Sequence, residues 1–452
     1  MTNKKFSTEP VRGMKDFYPS VLRKYQYIIS NIEEIAELYC YEEFESPLLE
    51  PIEIFEVKSS EELVNEQSFI IEKKEGERLI LIPELTPSLA RMVSRKSQEF
   101  KRPIRWFSIP TCYRYERPQR GRRREFKQLN FDILGEDSLY AELEIINIAI
   151  DIFKSFGAKP SQFQLYYNNR RFMDAISEYL FEIPKEKMPL IFKVIDKAEK
   201  MEESEYERYL INTLRDEFII QGIKKITQSK SLEDLIDSFD DFPEEILESR
   251  GYKELLKLGQ LINDAGISEY CSYSPSIVRG LDYYTGIVFE VFDTGSKNTR
   301  SIFGGGRYDD LLSLFSDEKL SGIGFGMGLL MLKLFLETYD LLPEDLEEYD
   351  YSDTVYLVSV NEKVSSYALK IANKVRREGF PCILDYRFQG VGNQFSKANE
   401  LGVYVSCIIG PKEMESNSVT LKNMISEEQK NIKFESIIEE IYKIFDEIED
   451  DF

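Results

Sequence analysis

The chain has 452 residues, 42% hydrophobic and 31% charged, with a formal net charge of −23, the composition of a globular protein of roughly two to four domains. The acidic balance repels phosphate, which argues against nonspecific nucleic-acid binding, so any nucleic acid must be met by local basic patches. No histidine occurs, which removes Ser-His-Asp and Cys-His catalysis, His metal ligands and a His general base, and leaves carboxylates, guanidinium groups, tyrosines and the substrate itself to run any chemistry.

The opening MTNKKFSTEP lacks the apolar region of a secretory signal, so a cytoplasmic location is expected. No later apolar run approaches the roughly 20 residues of a bilayer span. Periodicity predicts an amphipathic helix over about Val21–Cys40, with Leu22, Tyr25, Ile28, Ile29, Ile32 and Ile35 on one face. A strand follows through Phe44–Glu50, which Pro47 confines to a sheet edge or an interface. Ser68–Ile71 and Arg78–Ile82 read as a hairpin. Thr86 is expected to cap a helix with Pro87 in its first position, leaving Glu84 just ahead of the helix to accept from an ammonium group.

Ile109–Gly135, IPTCYRYERPQRGRRREFKQLNFDILG, carries seven basic residues (Arg114, Arg117, Arg120, Arg122, Arg123, Arg124, Lys127) and three acids. Leu129, Phe131 and Ile133 alternate with Gln128, Asn130 and Asp132, so two antiparallel strands joined by the loop Arg117–Arg124 are predicted, with Pro118 and Gly121 turning the chain. A cationic hairpin of this kind holds phosphates, because arginine forks onto their oxygens as a paired donor.

Further on, Asp137–Phe156 is predicted helical, Phe163–Tyr167 a strand, and residues 170–266 a strongly charged helical stretch. A strand runs through Ile287–Phe292 with Arg279 and Asp282 at its mouth. The glycines of Phe303–Asp309, FGGGRYD, permit close backbone approach to a ligand. Gly322–Met331, GIGFGMGLLM, is a Gly-rich strand entering an apolar helix. Residues 341–353 form an acidic linker, beyond which strands and helices alternate as a compact, mostly parallel α/β domain over 354–452. The five cysteines have no CxxC spacing, which argues against disulfides and zinc.

These motifs together resemble the histidyl-tRNA synthetases, within class IIa of the class II aminoacyl-tRNA synthetases. R-Y-E-R-P-Q-R-G-R-R-R-E-F-K-Q resembles motif 2, Pro83–Thr86 the P-E-x-T segment, and R-G-L-D-Y-Y-T (279–285) and G-G-R-Y-D (305–309) the two signatures particular to that family. The helix and strand after RGMKD resemble the region of motif 1, which implies a homodimer. The resemblance implies an α+β catalytic domain over 1–340 built on an antiparallel sheet, a helical insertion over about 170–266, and an anticodon-binding domain over 354–452. Two departures stand out at motif 3, where Leu330 and Met331 replace the usual Glu and ATP-binding Arg. Lys127 and Asp132 also stand where the family often has His and Glu.

The implied activity is ATP-dependent activation of histidine and its transfer to tRNA(His), with Mg²⁺ bridging pyrophosphate oxygens. Arg114 and Arg279 are implied at the α-phosphate, Glu116 and Phe126 at the adenine, and Arg122 and Arg307 at the phosphates and adenosine end. Glu84, Thr86 and Gln128 are implied at the ammonium group, and Asp132, Tyr283 and Tyr284 around the imidazole, with Arg279 also touching histidine. The missing motif 3 arginine leaves open an alternative, a synthetase-like regulatory or tRNA- or histidine-sensing module without ligase activity.

Overall fold

The computed structural model describes residues 6–56, 64, 66–73, 76–198, 201–278, 283–295, 297–298, 300–309, 313, 315 and 319–450. Arg279 and Asp282 lie outside the described residues. The chain divides into two compact units, 1–343 and 344–452.

The first unit is built on a nine-stranded sheet. Its path runs Glu42–Glu43, Ile104–Ser108, Glu125–Leu134, Gly322–Gly328, Ser301–Tyr308, Ile287–Asp293, Phe163–Asn169, Cys271–Tyr273, with Thr111–Tyr113 paired to Glu125–Leu134 at the side. The two outermost pairs are parallel and the rest antiparallel. Helices Pro19–Leu38, Leu139–Ser155 and Leu329–Thr338 pack together against this sheet. Tyr25, Ile28, Ile32 and Ile35 bury one face of the first helix, whereas Leu22 is exposed. The middle helix has Ile145, Ile146, Ile148, Ile150 and Ile152 all buried, as its near-continuous apolar run requires. A second sheet, Leu49–Pro51, Arg78–Leu81 and Phe69–Glu72, closes a separate core of Ile52, Phe55, Ile80, Leu89 and Val93. Short helices fill most of the span from Arg170 to Asp264.

Two local expectations change. Residues 44–48 are not a strand; Glu42–Glu43 pairs with Trp106 and Phe107, and pairing resumes only at Leu49, after the proline that donates no ladder hydrogen bond. Thr86 is the first helical residue rather than the cap, and Leu85 occupies the cap without a side-chain hydrogen bond.

The second unit has a five-stranded sheet in the order Cys382–Leu384, Val355–Ser359, Val405–Ile409, Ser418–Asn423, Gln429–Lys433, the first three parallel and the last two antiparallel additions. Helices Ser365–Arg377 and Val391–Leu401 provide the crossovers, and Ile437–Asp450 ends the described chain. Its core of Val355, Leu357, Ile371, Val405, Val419 and Ile441 is closed on itself.

Candidate active site

The sheet of the first unit turns one face to the helices and the other to a polar slot. Period-two alternation decides which residues reach the slot. Along Gly322–Gly328, positions 324, 326 and 328 share that face and none has a side chain. A Cβ on Gly324 would stand 2.2 Å from Asp132 Oδ1, so the slot exists because the floor is bare backbone. A Cβ on Gly326 would meet Gln128 Nε2 at 2.8 Å, and one on Gly328 would meet nothing within 4 Å among the described residues. The floor therefore opens outward at Gly328, opposite Gln128.

Asp132, Asn130 and Gln128 line one side, each a polar position of the strand Glu125–Leu134 whose apolar alternates Leu129, Phe131 and Ile133 are in the core. Gln128 Nε2 donates to Asn130 Oδ1 at 3.0 Å. The Tyr308 hydroxyl donates to Asp132 Oδ1, while buried Oδ2 has no hydrogen-bond partner among the described residues. Burial pushes the Asp132 carboxyl up to about 7, against the hydrogen bond from Tyr308. Tyr283 donates to Glu84 Oε2 at 3.0 Å, and burial raises the phenols of Tyr283, Tyr284 and Tyr308, which stay neutral donors at ordinary pH.

Arg114 enters the same slot, its Nε donating to the Pro83 carbonyl at 2.9 Å and its guanidinium 5.3 Å from the centre of the Phe126 ring. Glu116 and Arg122 sit on the hairpin loop as an ion pair at 2.7 Å. Thr86 and Tyr284 complete the lining. Glu84, Thr86, Arg114, Gln128, Asp132, Tyr283 and Tyr284 thus converge from four separate stretches of sequence. Lys127 is exposed, one residue out of phase with Gln128, and does not line the slot.

Arg307 is not among the residues brought to the slot. It alternates with Tyr308, so when Tyr308 faces the slot Arg307 faces the helices, where Glu142 grips it with both oxygens and Glu136 accepts from Nη1 at 2.9 Å. Both partners of that ion pair are buried, and Asp309 lies 3.8 Å from the same guanidinium. Tyr308 and Asn130 are the site residues that sequence reasoning missed. The signal was present: Tyr308 is in phase with Gly304 and Gly306, the small residues of its own strand.

A bare floor, one unpartnered carboxylate oxygen, a second buried carboxylate and an arginine suit a small zwitterion with a ring N–H, bound beside a phosphate. The antiparallel sheet with this hairpin and Gly-rich strand is the catalytic fold of the class II aminoacyl-tRNA synthetases, here followed by a separate α/β unit. The histidyl-tRNA synthetase family profile matches residues 13–332, and that of the anticodon-binding domain residues 354–444. The chain belongs to the histidyl-tRNA synthetase family. It is 35% identical to the histidine–tRNA ligase of Leptospira biflexa over 446 residues, 98% of this chain and 99% of that one. Identity to the chloroplastic/mitochondrial histidine–tRNA ligase of Arabidopsis thaliana is 33%, over 96% of this chain and 87% of that one. The crystal structure of histidyl-tRNA synthetase from Nostoc sp. PCC 7120 superposes with a TM-score of 0.74 at 24% identity, over 97% of this chain and 100% of that one, a likeness of fold.

Proposed function

We propose that the chain is a histidine–tRNA ligase. A carboxylate oxygen of histidine attacks the α-phosphorus of ATP, the bond to the α,β-bridging oxygen breaks, and pyrophosphate leaves. A terminal ribose hydroxyl of tRNA(His) then attacks the adenylate carbonyl and AMP departs. ATP enters as its magnesium complex, the ion being part of the substrate. The first step asks for charge neutralisation more than proton transfer.

The observation that carries this reading is Asp132 Oδ2, without a partner among the described residues, in a slot that also holds Glu84 and Arg114. Glu84, Thr86 and Gln128 take the ammonium group in this assignment. Asp132, Tyr283 and Tyr284 surround the imidazole, so a ring without its N–H would leave buried polar groups unpaired and be rejected by roughly 10⁴–10⁵. Arg114 holds the carboxylate and α-phosphate, Phe126 and Glu116 the adenine, and Arg122 the outer phosphates. Arg279 is assigned as the fixed cation at the α-phosphorus. The unit at 354–452 is assigned the anticodon and the helical stretch at 170–266 the acceptor arm. The enzyme is proposed to be a cytoplasmic homodimer; no described helix is long and apolar enough to cross a membrane.

Histidine-dependent ATP–pyrophosphate exchange tests the proposal. Exchange with histidine and none with the other amino acids is expected. An intact fold that binds histidine without exchange would favour a sensing module instead. Arg279→Ala should abolish exchange while histidine still binds, weakened roughly tenfold by the loss of its one contact to the substrate; equal exchange would remove its assigned role.

A further inference from the structure

Thr285 closes R-G-L-D-Y-Y-T and Asp309 closes G-G-R-Y-D, and neither lines the slot. They are joined to each other instead. The Thr285 hydroxyl donates to Asp309 Oδ2 at 2.8 Å and accepts from the Asp309 N–H at 3.2 Å, while the Thr285 N–H donates to the Arg307 carbonyl at 2.8 Å. These bonds tie the backbone beside Tyr283 and Tyr284 to the strand that carries Tyr308. Inside the slot the Tyr283 and Tyr284 ring centres are 5.1 Å apart, and those of Tyr283 and Tyr308 5.9 Å. Such a pocket keeps its selectivity only while its donors stay within about 0.5 Å of their places.

Asp309 is held from its other side by Arg171, whose Nη2 donates to Oδ2 at 2.7 Å. Nη1 of the same guanidinium donates to both oxygens of Glu254, at 2.9 and 3.1 Å, on the helix Arg250–Asp264. One planar fork thus spans two carboxylates from separate stretches of sequence. Glu254 also accepts from Asn169 Nδ2 at 2.7 Å, and the Asn169 side chain caps the helix Arg170–Ala175 by accepting from the Arg171 N–H at 2.9 Å. Two glycines let backbone come close to this arginine. A Cβ on Gly286 would stand 2.8 Å from Arg171 Nη1, and one on Gly251 would stand 2.6 Å from the Arg171 carbonyl carbon. Arg170 adds a second grip: its N–H donates to the Gly286 carbonyl at 2.8 Å and its Nη1 to the Val278 carbonyl at 2.9 Å. The two arginines that begin the helical stretch therefore hold the chain before and after Tyr283 and Tyr284.

We propose that Arg171 is a positioning residue for histidine: through Asp309 and Thr285 it sets Tyr283 and Tyr284 against the imidazole, and through Glu254 it makes that setting depend on the helix Arg250–Asp264. The proposal rests on the ligase reading, which puts the imidazole beside those tyrosines. The guanidinium is rigid, so a shift of one carboxylate either moves the other or breaks a bond to it. ATP, assigned to Arg114 and the hairpin, lies off this path.

Pyrophosphate-exchange kinetics and amide hydrogen exchange on the full chain test it. Arg171→Ala should raise the KM for histidine about tenfold, the effect of one charge-assisted hydrogen bond, with the KM for ATP within about twofold. Arg171→Lys should recover part of the loss, since a point charge remains without the fork. Thr285→Val keeps the side-chain shape and the backbone N–H but loses the hydroxyl; it should give a similar rise, and it carries the test where Arg171→Ala does not fold. Combined, the two substitutions should cost less than the product of their separate effects, because both break one path. A fully additive double variant, or histidine and ATP KM values rising together, would overturn the proposal. In the ligand-free protein either variant should speed amide hydrogen exchange at 283–287 at least about tenfold, a local opening, with the helix Leu139–Ser155 as protected as in wild type. Unchanged protection at 283–287 refutes the positioning role whether or not the protein turns over. Wild type without histidine-dependent pyrophosphate exchange counts against the ligase reading, and the amide measurement then decides the positioning role by itself.

Discussion

Asp132 holds a carboxyl in a place that disfavours its charge. Its ordinary value is 3.8 and burial pushes it to about 7, so between those values the folded protein keeps a proton that the unfolded chain has released. The folded state then binds more protons, and stability falls as pH rises through this window. Asp132→Asn removes the titration. Melting temperatures measured from pH 5 to 8 should show the variant gaining on wild type as pH rises; parallel curves would mean that Asp132 is ionised throughout. Binding of histidine opposes the penalty, because a ring N–H donated to Oδ2 favours the carboxylate. Tyr308→Phe leaves that carboxylate with neither oxygen held, and the KM for histidine should rise at least about tenfold, the effect of one charge-assisted hydrogen bond, with the KM for ATP little changed. Asp132 was legible in the sequence through the alternation of Gln128, Asn130 and Asp132. The phase of Tyr308 was equally legible, but the likeness of G-G-R-Y-D to a family signature drew the assignment to its charged neighbour Arg307.

At the scale of the element, alternation within single strands decides which side chains reach the slot and which turn away from it. The strand Gly322–Gly328 has glycine at each slot-facing position, yet Gly324 and Gly328 should respond differently. Gly324→Ala forces a methyl to 2.2 Å from Asp132 Oδ1 and 2.4 Å from the Phe131 carbonyl. Overpacking against backbone costs about 1–3 kcal/mol or more, and histidine binding should be lost with it. Gly328→Ala meets nothing, so urea unfolding should match wild type while ATP affinity drops, because the methyl enters the open end of the floor. On the opposite face, Glu142→Ala should destabilise the protein by about 3 kcal/mol, because buried Arg307 is left among the described residues with only Asp309 at 3.8 Å and the Glu136 carbonyl. ATP affinity should hold in conditions where the variant stays folded; a stable variant with weakened ATP binding would restore a nucleotide role to Arg307. Helix and strand positions with strong periodicity were readable, as in Pro19–Leu38. The edge strand Gln429–Lys433 was not, because QKNIK buries only Ile432 and has the polar, lysine-bearing character of a protected sheet edge.

Over the whole molecule, the two units have cores that share no residue. Every side chain placed in the slot belongs to 1–343, and the clusters around Leu357 and Tyr356 draw only on residues from 351 onward. The division was visible in the acidic stretch 341–353, where apolar periodicity lapses. The last helix was less visible because the acids of EIEDDF mask the spacing of Ile437, Ile441, Ile444 and Ile448, all of which are buried. Separate cores imply separable steps. A chain ending at Pro343 retains the complete slot, its supporting helices and the Arg307–Glu142 pair, so it should keep histidine-dependent exchange within a few-fold of the full chain. What it loses is the anticodon-binding unit. If that unit supplies even one net contact worth about 1.4 kcal/mol, kcat/KM for charging tRNA(His) falls at least about tenfold, and several contacts multiply the loss. Exchange and charging assayed side by side on the two lengths of chain check this. A parallel fall in both would mean that the second unit acts on the amino acid activation step itself, and that the catalytic slot is incomplete without it.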